Sequence, residues 1–362
     1  MSGTSGDGVD ASIIKSDGLN DYKDILNEYF KYDSNIFNSF HSLKEKVSTV
    51  KDLKKYTEEI KELERKITLF HAKIIKKLDH IDEEFLVGFH GQTIYHSPDE
   101  KISKQLGDGK LLNQLTNKKI IYNFRQNDIL NGGEGAPLTP IFHQMIAIQK
   151  KIKLPVCILN IGGISNITIL RKGSGFKEIV SKDIGPGNCL IDSWVRKNSD
   201  KNFDKDGLLA ASGKKNEIIL EQAQELFHNR QNKKKLSFDT NDFDISFSRG
   251  LSLEDGAATL TDFTANIIAE SLFLELKKEN SVREILICGG GRKNQILLSK
   301  IKNNLSPKLI IRPIDDFDIN GDFVESQAFG YLAIRSYKKF PITFPNTTKC
   351  NMPCLGGELI EN

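Results

Sequence analysis

The first ten residues bring together the residue types that could bind a phosphate group and a metal ion. They read Met1-Ser-Gly-Thr-Ser-Gly-Asp-Gly-Val-Asp10 and combine glycines and hydroxyls with two carboxylates. Glycines let backbone N–H groups approach an anionic oxygen closely, and carboxylates are hard oxygen ligands of the kind that Mg2+ prefers. A flexible terminus has the same composition, so these residues alone leave both interpretations open.

Three further glycine-rich turns occur later in the chain. They are Asn160-Ile-Gly-Gly-Ile-Ser-Asn166, Asp183-Ile-Gly-Pro-Gly-Asn188 and Gly289-Gly-Gly-Arg-Lys-Asn294. Any one of them could be an ordinary tight turn, but four such turns in one chain favour phosphate binding. None matches the Walker pattern, and the last lacks the glycine spacing of a dinucleotide fingerprint.

The turn that ends at Asn188 leads to a carboxylate with a candidate catalytic role. Asn188 is a good N-cap, and the sequence predicts a helix from Cys189 to Lys197. Asp192 then lies in the first helical turn, on the same face as Asn188. It either offsets the helix dipole, a gain of about 0.3–1 kcal/mol, or acts as a general base that takes a proton from an attacking oxygen.

Apolar strands that run into these turns should position them. Strands are predicted over 156–161 and 285–288, each ending at a glycine turn, with helices over 257–278 and 325–338. This alternation predicts an α/β fold with ligands at the strand ends. Residues 21–80 are predicted to be helical, because apolar residues recur every three or four positions between Leu53 and Ile74.

Composition limits the classes of function. The 362 residues suggest two domains, and an apolar share of 38% with a charged share of 27% is typical of globular proteins. A net charge of +3 gives no reason to expect a nucleic-acid partner. No apolar stretch approaches the roughly 18 residues of a membrane span, and no basic-then-apolar leader precedes the chain. We therefore expect no membrane partner and a cytoplasmic location.

The cysteines suit reduced thiols rather than a disulfide framework. Of the five in the chain, only Cys350 and Cys354 are close in sequence. A zinc site would need two more ligands nearby, and none is evident. We therefore expect neither a metal site nor a disulfide at this pair.

Ten colinear motifs resemble the 1,6-anhydro-N-acetylmuramic acid kinase family and span nearly the whole chain. They are the loop Met1–Asp10, His90-Gly-Gln-Thr93, Phe124-Arg125 with Asp128, Gly132-Gly-x-Gly-Ala-Pro137, Leu159-Asn-Ile-Gly-Gly-Ile-x-Asn166, Gly185-Pro-Gly-Asn188 with Asp192, Asp204-Lys-Asp-Gly207, Cys288-Gly-Gly-Gly-x-x-Asn294, Glu325-x-x-Ala-Phe329 and Thr347-Thr348. In the family a strand normally precedes the first loop, whereas here the chain begins with the loop. Gly6 stands where the family usually has a larger apolar residue, and we expect it to loosen the turn.

The resemblance implies a two-domain actin/hexokinase-like (ribonuclease H-like) ATPase fold with a cleft between the domains. The first domain would comprise 1–140 with 341–362, including the helical segment 21–80, and the second would comprise 141–340. The implied enzyme is a phosphotransferase with an alcohol acceptor. It uses ATP and Mg2+ to phosphorylate the 6-oxygen of 1,6-anhydro-N-acetylmuramic acid while water opens the anhydro bridge, in peptidoglycan recycling. A homodimer is also implied.

The resemblance assigns roles to named residues. Asp192 would activate the water, and Asp7 would lie near the metal ion. His90, Arg125, Asp128 and Glu325 would lie near the sugar. The nucleotide would be bound by Gly3, Thr4, Ser5, Gly6, Asp7, Gly8, Val9, Asp10, Asn160, Gly162, Gly163, Gly289, Gly290, Gly291 and Asn294.

Two other functions stay open at this point. One is a kinase of the same fold that acts on another sugar. The other is a nucleotide-binding protein with little or no transfer activity, which would bind ATP without releasing ADP when the sugar is added.

Overall fold

The computed structural model describes residues 1–79, 85–173, 175–230, 237, 238, 240–279 and 281–361. These residues form two compact units. The first comprises Met1–Ile152, Ser174–Val180 and Phe323–Asn362, and the second comprises Lys153–Gly173 and Ser181–Asp322. In the described part of the chain, no helix is long and apolar enough to cross a membrane.

The strands and helices are numbered in chain order. The strands are β1 Gly8–Ser16, β2 Tyr22–Lys31, β3 Val87–Gly88, β4 Gln92–Ser97, β5 Ile102–Leu106, β6 Ile120–Tyr122, β7 Val156–Ile161, β8 Ile164–Leu170, β9 Ile179–Pro186, β10 Glu284–Cys288, β11 Ile310–Pro313 and β12 Glu358–Ile360. The helices are α1 Ser34–Lys46, α2 Val50–Lys55, α3 Thr57–Leu78, α4 Gly109–Thr116, α5 Gln126–Leu130, α6 Pro140–Gln149, α7 Cys189–Asn198, α8 Leu208–Ser212, α9 Glu217–Arg230, α10 Leu253–Lys278, α11 Gln295–Asn303, α12 Val324–Tyr337 and α13 Pro345–Thr348.

The first unit contains a long antiparallel hairpin that carries the N-terminal loop. β1 pairs with β2 from Gly8 opposite Lys31 to Ser16 opposite Tyr22. Side chains of the hairpin pack with α1 and α3 around a buried cluster that includes Val9, Phe40 and Ile67. Two smaller sheets belong to the same unit, one of strand order β12-β6-β3 and the other the hairpin β4-β5.

The prediction that residues 21–80 are helical is correct for α1, α2 and α3 but wrong for β2. Leu26 and Phe30 lie against the core cluster, and their spacing of four fits one face of a helix as well as one face of a strand. Backbone pairing with β1 makes this segment a strand, and local periodicity does not reveal that pairing. Residue 80 lies outside the described residues.

The second unit is built on a five-stranded sheet with the order β11-β10-β7-β8-β9. β7 is buried along its whole length, as expected for a strand covered on both faces. β10 runs parallel to β7, and β8 forms an antiparallel hairpin with β7. Because Cys288 pairs with Asn160, two predicted glycine turns leave adjacent strands at the same edge of the sheet.

The compact units differ in their bounds from the ranges 1–140 and 141–340. Helices α6 and α12, which the sequence analysis assigned to the second domain, belong to the first unit. α12 lies against β1 and β3 and also contacts α6. These contacts join segments that are far apart in sequence, so composition and local pattern do not reveal them.

Candidate active site

In the second unit, the two central glycine turns are joined by backbone hydrogen bonds. The carbonyl of Gly163 accepts from the N–H groups of Gly187 and Cys189, at 2.9 and 3.1 Å, and the carbonyl of Gly162 accepts from Asn188 at 2.8 Å. A Cβ atom on Gly187 would lie 2.3 Å from the Gly162 carbonyl oxygen. Only glycine therefore permits this approach.

These bonds fix the start of helix α7, which carries Asp192. Asn188 occupies the N-cap position, as predicted, but its side chain does not cap the helix. Its Nδ2 donates instead to the Gly162 carbonyl at 3.1 Å. Asp192 is half-buried in the first turn, and its N–H donates to the Asn188 carbonyl at 2.8 Å. Burial, with the charge of Asp192, raises the pKa of Cys189 to about 12, so this thiol stays protonated beside the carboxylate.

The turn after β10 packs closely against the turn after β7. Gly289 has φ +81°, and a Cβ atom there would lie 2.4 Å from Asn160 Oδ1. A Cβ atom on Gly291 would lie 2.2 Å from Ile161 Cγ2. In contrast, Gly290 has no heavy atom within 4 Å of the place where its Cβ atom would be. This turn therefore presents an open backbone face at its centre.

Two residues that follow this turn stabilise it. Arg292 has a side chain only 9% exposed, and its guanidinium is bidentate to Asp315 at 2.8 and 3.1 Å. It also contacts Asp322 at 2.5 Å and donates to the Gly289 carbonyl at 3.2 Å. Asn294 caps α11 by accepting from Leu297 N–H at 2.9 Å. The sequence analysis did not identify Arg292, because its acidic partners lie beyond α11 in the chain.

In the first unit, the N-terminal loop is held at both ends by its own backbone. Met1 and Asp10 exchange two hydrogen bonds, from the Asp10 N–H to Met1 at 3.0 Å and from the Met1 amine to Asp10 at 2.9 Å. Burial lowers the pKa of that amine to about 6, against the opposing effect of the Asp10 charge. In the middle of the loop, Ser5 donates to Asp7 Oδ1, and Tyr32 N–H donates to the Asp7 carbonyl at 2.9 Å. The loop is therefore an ordered turn rather than a flexible end.

The turn at Gly6 is tight, contrary to the expectation that Gly6 loosens it. Gly6 has φ +65°, and a Cβ atom there would lie 2.2 Å from Cε1 of Phe40. Phe40 comes from α1 and is 2% exposed. The ring of Phe40 thus occupies the space next to the loop, where a larger residue at position 6 would place its side chain.

The segment 90–92 lies directly against this loop. Ser2 N–H donates to the His90 carbonyl at 3.0 Å, and Gln92 Nε2 donates to the Gly3 carbonyl at 2.7 Å. Arg125 Nε donates to His90 Nε2 at 3.2 Å, so His90 carries its proton on Nδ1. Burial, with the Arg125 charge as a lesser cause, holds the pKa of His90 well below its usual value, and the ring is neutral.

Two buried polar atoms beside the loop lack hydrogen-bond partners in the described part of the chain. They are Nδ1 of His90, a ring that lies near the backbone of Ser2 and Gly91 without a bond of good geometry from Nδ1, and Oε1 of Gln92. One is a donor and the other an acceptor, and buried polar atoms are rarely left without a partner. Gln92 belongs to the motif His90–Thr93 but was not among the residues predicted for the site. His90 also lines a cavity of about 460 Å³ together with Ser103, Gln105 and Asn123.

The remaining two residues assigned to the sugar have different environments. Asp128 is 1% exposed, and its carboxylate accepts from Gly135 N–H and from the Thr348 hydroxyl, each at 2.7 Å. Asp128 thereby links α5 to the following loop and to α13. Glu325 is half-buried in the first turn of α12, where the helix dipole favours a carboxylate. The adjacent Ser326 bonds to Ser12 of β1 at 2.6 Å.

Each unit therefore contains one part of the predicted site. Comparison with known proteins gives the family: the sequence model described as anhydro-N-acetylmuramic acid kinase matches residues 1–361. The chain belongs to this family. An anhydro-N-acetylmuramic acid kinase of Pelagibacter ubique is 52% identical over 366 residues, covering 100% of this chain and 97% of that protein.

More distant relatives in this family match as completely. The kinase of Agrobacterium fabrum is 34% identical over 371 residues, covering 100% of this chain and 97% of the relative. That of Zymomonas mobilis is 35% identical over 368 residues, covering 99% and 98%. These matches confirm the predicted family and the predicted ATPase-type α/β fold class. They also confirm the prediction of a kinase that uses ATP to phosphorylate an alcohol group. The individual site residues stay predictions.

Proposed function

We propose that this chain transfers the γ-phosphoryl group of ATP to the 6-oxygen of 1,6-anhydro-N-acetylmuramic acid while water opens the anhydro bridge. The products are N-acetylmuramic acid 6-phosphate and ADP, and the pathway is the recycling of cell-wall peptidoglycan. Family membership supports the substrate. The observation that carries the mechanism is the attachment of the Asp192 helix to the Gly162-Gly163 turn through three backbone hydrogen bonds.

Asp192 is proposed as the base for the attacking water. It accepts one proton as the water oxygen bonds to the anomeric carbon and the bond between that carbon and the 6-oxygen breaks. The freed 6-oxygen bonds to the γ-phosphorus, and ADP leaves with its bond electrons. A single base is sufficient, because the 6-oxygen leaves the ring carbon without a proton. The fixed start of α7 positions the carboxylate for this step.

We further propose that Mg2+ accompanies the nucleotide and that Asp7 lies near it. The Asp7 carboxylate is half-buried and ordered by Ser5, and it offers the hard oxygen that this ion prefers. When bound, Mg2+ neutralises charge on the phosphates of ATP. The backbone of Gly3–Gly8 and of Gly289–Gly291 would approach the nucleotide. Restoring ADP release to chelator-treated protein by adding Mg2+ tests this part, and full activity in the chelator contradicts it.

The unpartnered donor on His90 and acceptor on Gln92 are proposed to bind the sugar. A hydroxyl group can accept from one and donate to the other at the same time. Arg125 orients His90 through its Nε2, and the adjoining cavity of about 460 Å³ has the volume of a small-molecule site. Asp128 is proposed to act here by ordering the loop that ends at Gly135, rather than by contact with the sugar.

The quaternary state and location are proposals from the family alone. We propose a homodimer in the cytoplasm. Light scattering on the purified chain that gives a single-chain mass of 40.7 kDa would contradict the dimer. Fractionation of the native cells would contradict the location if the protein sediments with the envelope.

The decisive experiment measures ADP release with and without 1,6-anhydro-N-acetylmuramic acid in the wild type, Asp192→Asn and Asp200→Asn. Asp200 is an exposed carboxylate just beyond the same helix, so its variant controls for the loss of a charge near α7. We expect sugar-dependent turnover in the wild type and in Asp200→Asn, and a fall of at least about 100-fold in Asp192→Asn. Equal turnover in the two variants would remove Asp192 from its role. No sugar-dependent release in the wild type would overturn the proposed activity.

A further inference from the structure

Three buried side chains with metal-binding atoms meet between α5 and the C-terminal segment. A carboxylate oxygen of Asp128 and the Sγ atoms of Cys350 and Cys354 all lie within 4.8 Å of one another. The three residues are 1%, 1% and 4% exposed, and both cysteines are free thiols. No metal was expected at the cysteine pair, because no other ligand lies near it in sequence. The fold supplies a third ligand from a distant part of the chain.

We propose that Asp128, Cys350 and Cys354 form a binding site for Zn2+. Two sulfurs and a carboxylate oxygen are ligands that zinc accepts, and soft thiolates select it over Mg2+ or Ca2+. Zinc bonds of about 2.3 Å to sulfur and 2.0–2.2 Å to oxygen place tetrahedral ligand atoms roughly 3.5–3.8 Å apart. Atoms within 4.8 Å of one another therefore need to approach by up to about 1.3 Å.

A second observation points to an ion between the sulfurs. Thr343 is 1% exposed, and its Oγ1 has no hydrogen-bond partner of acceptable geometry in the described chain. This hydroxyl nevertheless lies beside both sulfurs. A hydroxyl beside two metal-bound thiolates would donate to one of them. The buried Thr343 hydroxyl is therefore placed to donate to a sulfur ligand of a bound ion.

The carboxylate of Asp128 is already oriented for a ligand role. Its two oxygens accept from Gly135 N–H and from the Thr348 hydroxyl, and each oxygen keeps a second lone pair. Hydrogen bonds of this kind orient metal ligands and tune their affinity. Both bonds come from residues that flank the site, so they would hold the carboxylate beside the sulfurs as zinc binds.

The alternative state of the cysteine pair, a disulfide, fits these surroundings less well. A disulfide would leave the buried Thr343 hydroxyl beside sulfurs that are only weak acceptors. Zinc binding balances as one Zn2+ taken up and two thiol protons released, with the carboxylate already ionised.

Zinc at this site would have a positioning effect on the proposed sugar site. It would tie residues 350–354 to α5, and Arg125 is the N-cap residue of that helix. Arg125 also donates to the Gly135 carbonyl at 2.8 Å, and Gly135 is bonded to Asp128. The ion would therefore hold the C-terminal segment, the loop at Gly135 and the guanidinium that contacts His90 in one arrangement.

The test uses the full chain, freed of metal by a chelator under reducing conditions and titrated first with Co2+ and then with Zn2+. We expect one equivalent of Co2+ to give a thiolate-to-cobalt charge-transfer absorption that Zn2+ abolishes. Cys350→Ser and Cys354→Ser should each reduce this absorption and lower the Zn2+ affinity by more than tenfold. Thr343→Val should lower the affinity about 10-fold, as a residue beside the ligands does. Cys157→Ala, which removes a buried thiol of β7 in the other unit, should bind one equivalent unchanged.

A second measurement uses only the wild type, so it tests the proposal even if the cysteine variants fail to fold. In the wild type, Zn2+ should slow the alkylation of Cys350 and Cys354, read peptide by peptide by mass spectrometry, and leave the rate at the other cysteines unchanged. Absence of a thiolate absorption, or no protection of these two cysteines by Zn2+, overturns the proposal. So does formation of a Cys350–Cys354 disulfide when the metal-free protein is exposed to dissolved oxygen in the presence of one equivalent of Zn2+. None of these readouts depends on kinase activity, so they are distinguishable from a failure of the proposed reaction.

Discussion

Replacing Gly6 by alanine should destabilise the first unit through two separate effects. Gly6 has φ +65°, and its Cβ atom would lie 2.2 Å from Cε1 and 2.3 Å from Cδ1 of Phe40. An ordinary contact begins near 3.4 Å, so the loop and the ring would have to separate by more than 1 Å. Gly3 in the same loop offers a matched control, because its Cβ atom would meet only Ser5 Oγ at 3.9 Å.

The expected magnitude follows from these two effects. A residue with a Cβ atom in the left-handed region costs about 1–2 kcal/mol. Overpacking against a buried ring costs about 1–3 kcal/mol more. Gly6→Ala should therefore lower the free energy of unfolding by about 2–5 kcal/mol, whereas Gly3→Ala should change it by less than about 0.5 kcal/mol. In a Phe40→Leu background, the Gly6→Ala cost should fall to about 1–2 kcal/mol, because only the backbone effect is left.

Urea unfolding of the four proteins in the double-mutant cycle, with Gly3→Ala alongside, measures both effects. The coupling free energy between positions 6 and 40 should be about 1–3 kcal/mol. A coupling near zero would show that the ring does not press on the loop. Equal stability of Gly6→Ala and Gly3→Ala would refute the whole argument, including the claim that Gly6 tightens this turn. Displacement of the loop by about 1 Å should also reduce kcat/KM by up to about 100-fold.

Two further predictions concern charge. Burial lowers the pKa of His71 and His143 to about 3 and, with Arg125, holds that of His90 well below its usual value. The unfolded chain, with histidine pKa values near 6.5, therefore takes up more protons as the pH falls. The contribution of these histidines to stability should be complete above about pH 7 and should drop by about 2 kcal/mol per histidine between pH 7 and pH 5. Urea midpoints that stay flat over this range would contradict the burial of neutral rings, and His143→Gln should remove about a third of the dependence. Arg292→Met should cost about 1.5–3 kcal/mol and raise the KM for ATP, because it leaves Asp315 and Asp322 short of a partner and removes the guanidinium bond to the Gly289 carbonyl. Arg171→Met, which breaks the half-exposed pair with Glu279, should cost less than about 1 kcal/mol. Equal losses of stability in both variants would show that Arg292 stabilises the protein no more than a half-exposed ion pair does.

The sequence predicts best those elements whose signals are local. The apolar run that forms β7, the strand that forms β10 and the helix after Asn188 all carry their pattern within a few residues. The apolar face from Leu53 to Ile74 is also confirmed, since its residues lie in or against one buried cluster. Strands next to glycine turns could be placed for the same reason, because the turn residues mark where each strand ends.

Features that depend on distant partners could not be predicted. β2 is a strand because β1 pairs with it, and its own spacing allowed a helix. The positioning role of Arg292 could not be predicted, because it depends on Asp315 and Asp322, which the fold brings beside it. Asp128 was assigned to the sugar by its motif, but the fold surrounds it with Gly135, Thr348 and two cysteines. In each case the role depends on a tertiary contact, and the local sequence around the residue does not indicate that contact.

The hydrogen bonds between the Gly162-Gly163 and Gly187–Cys189 turns should also slow the exchange of amide hydrogens in this region. Loops rich in glycine usually open at little cost, and their amide hydrogens exchange quickly with solvent. Here the amides of Gly187, Asn188 and Cys189 are held by carbonyls of the other turn. They can exchange only when the two turns separate, and separation releases all three together. The two turns should therefore open together rather than independently. The amides at the start of the Asp192 helix should exchange at the slow rate of this joint opening.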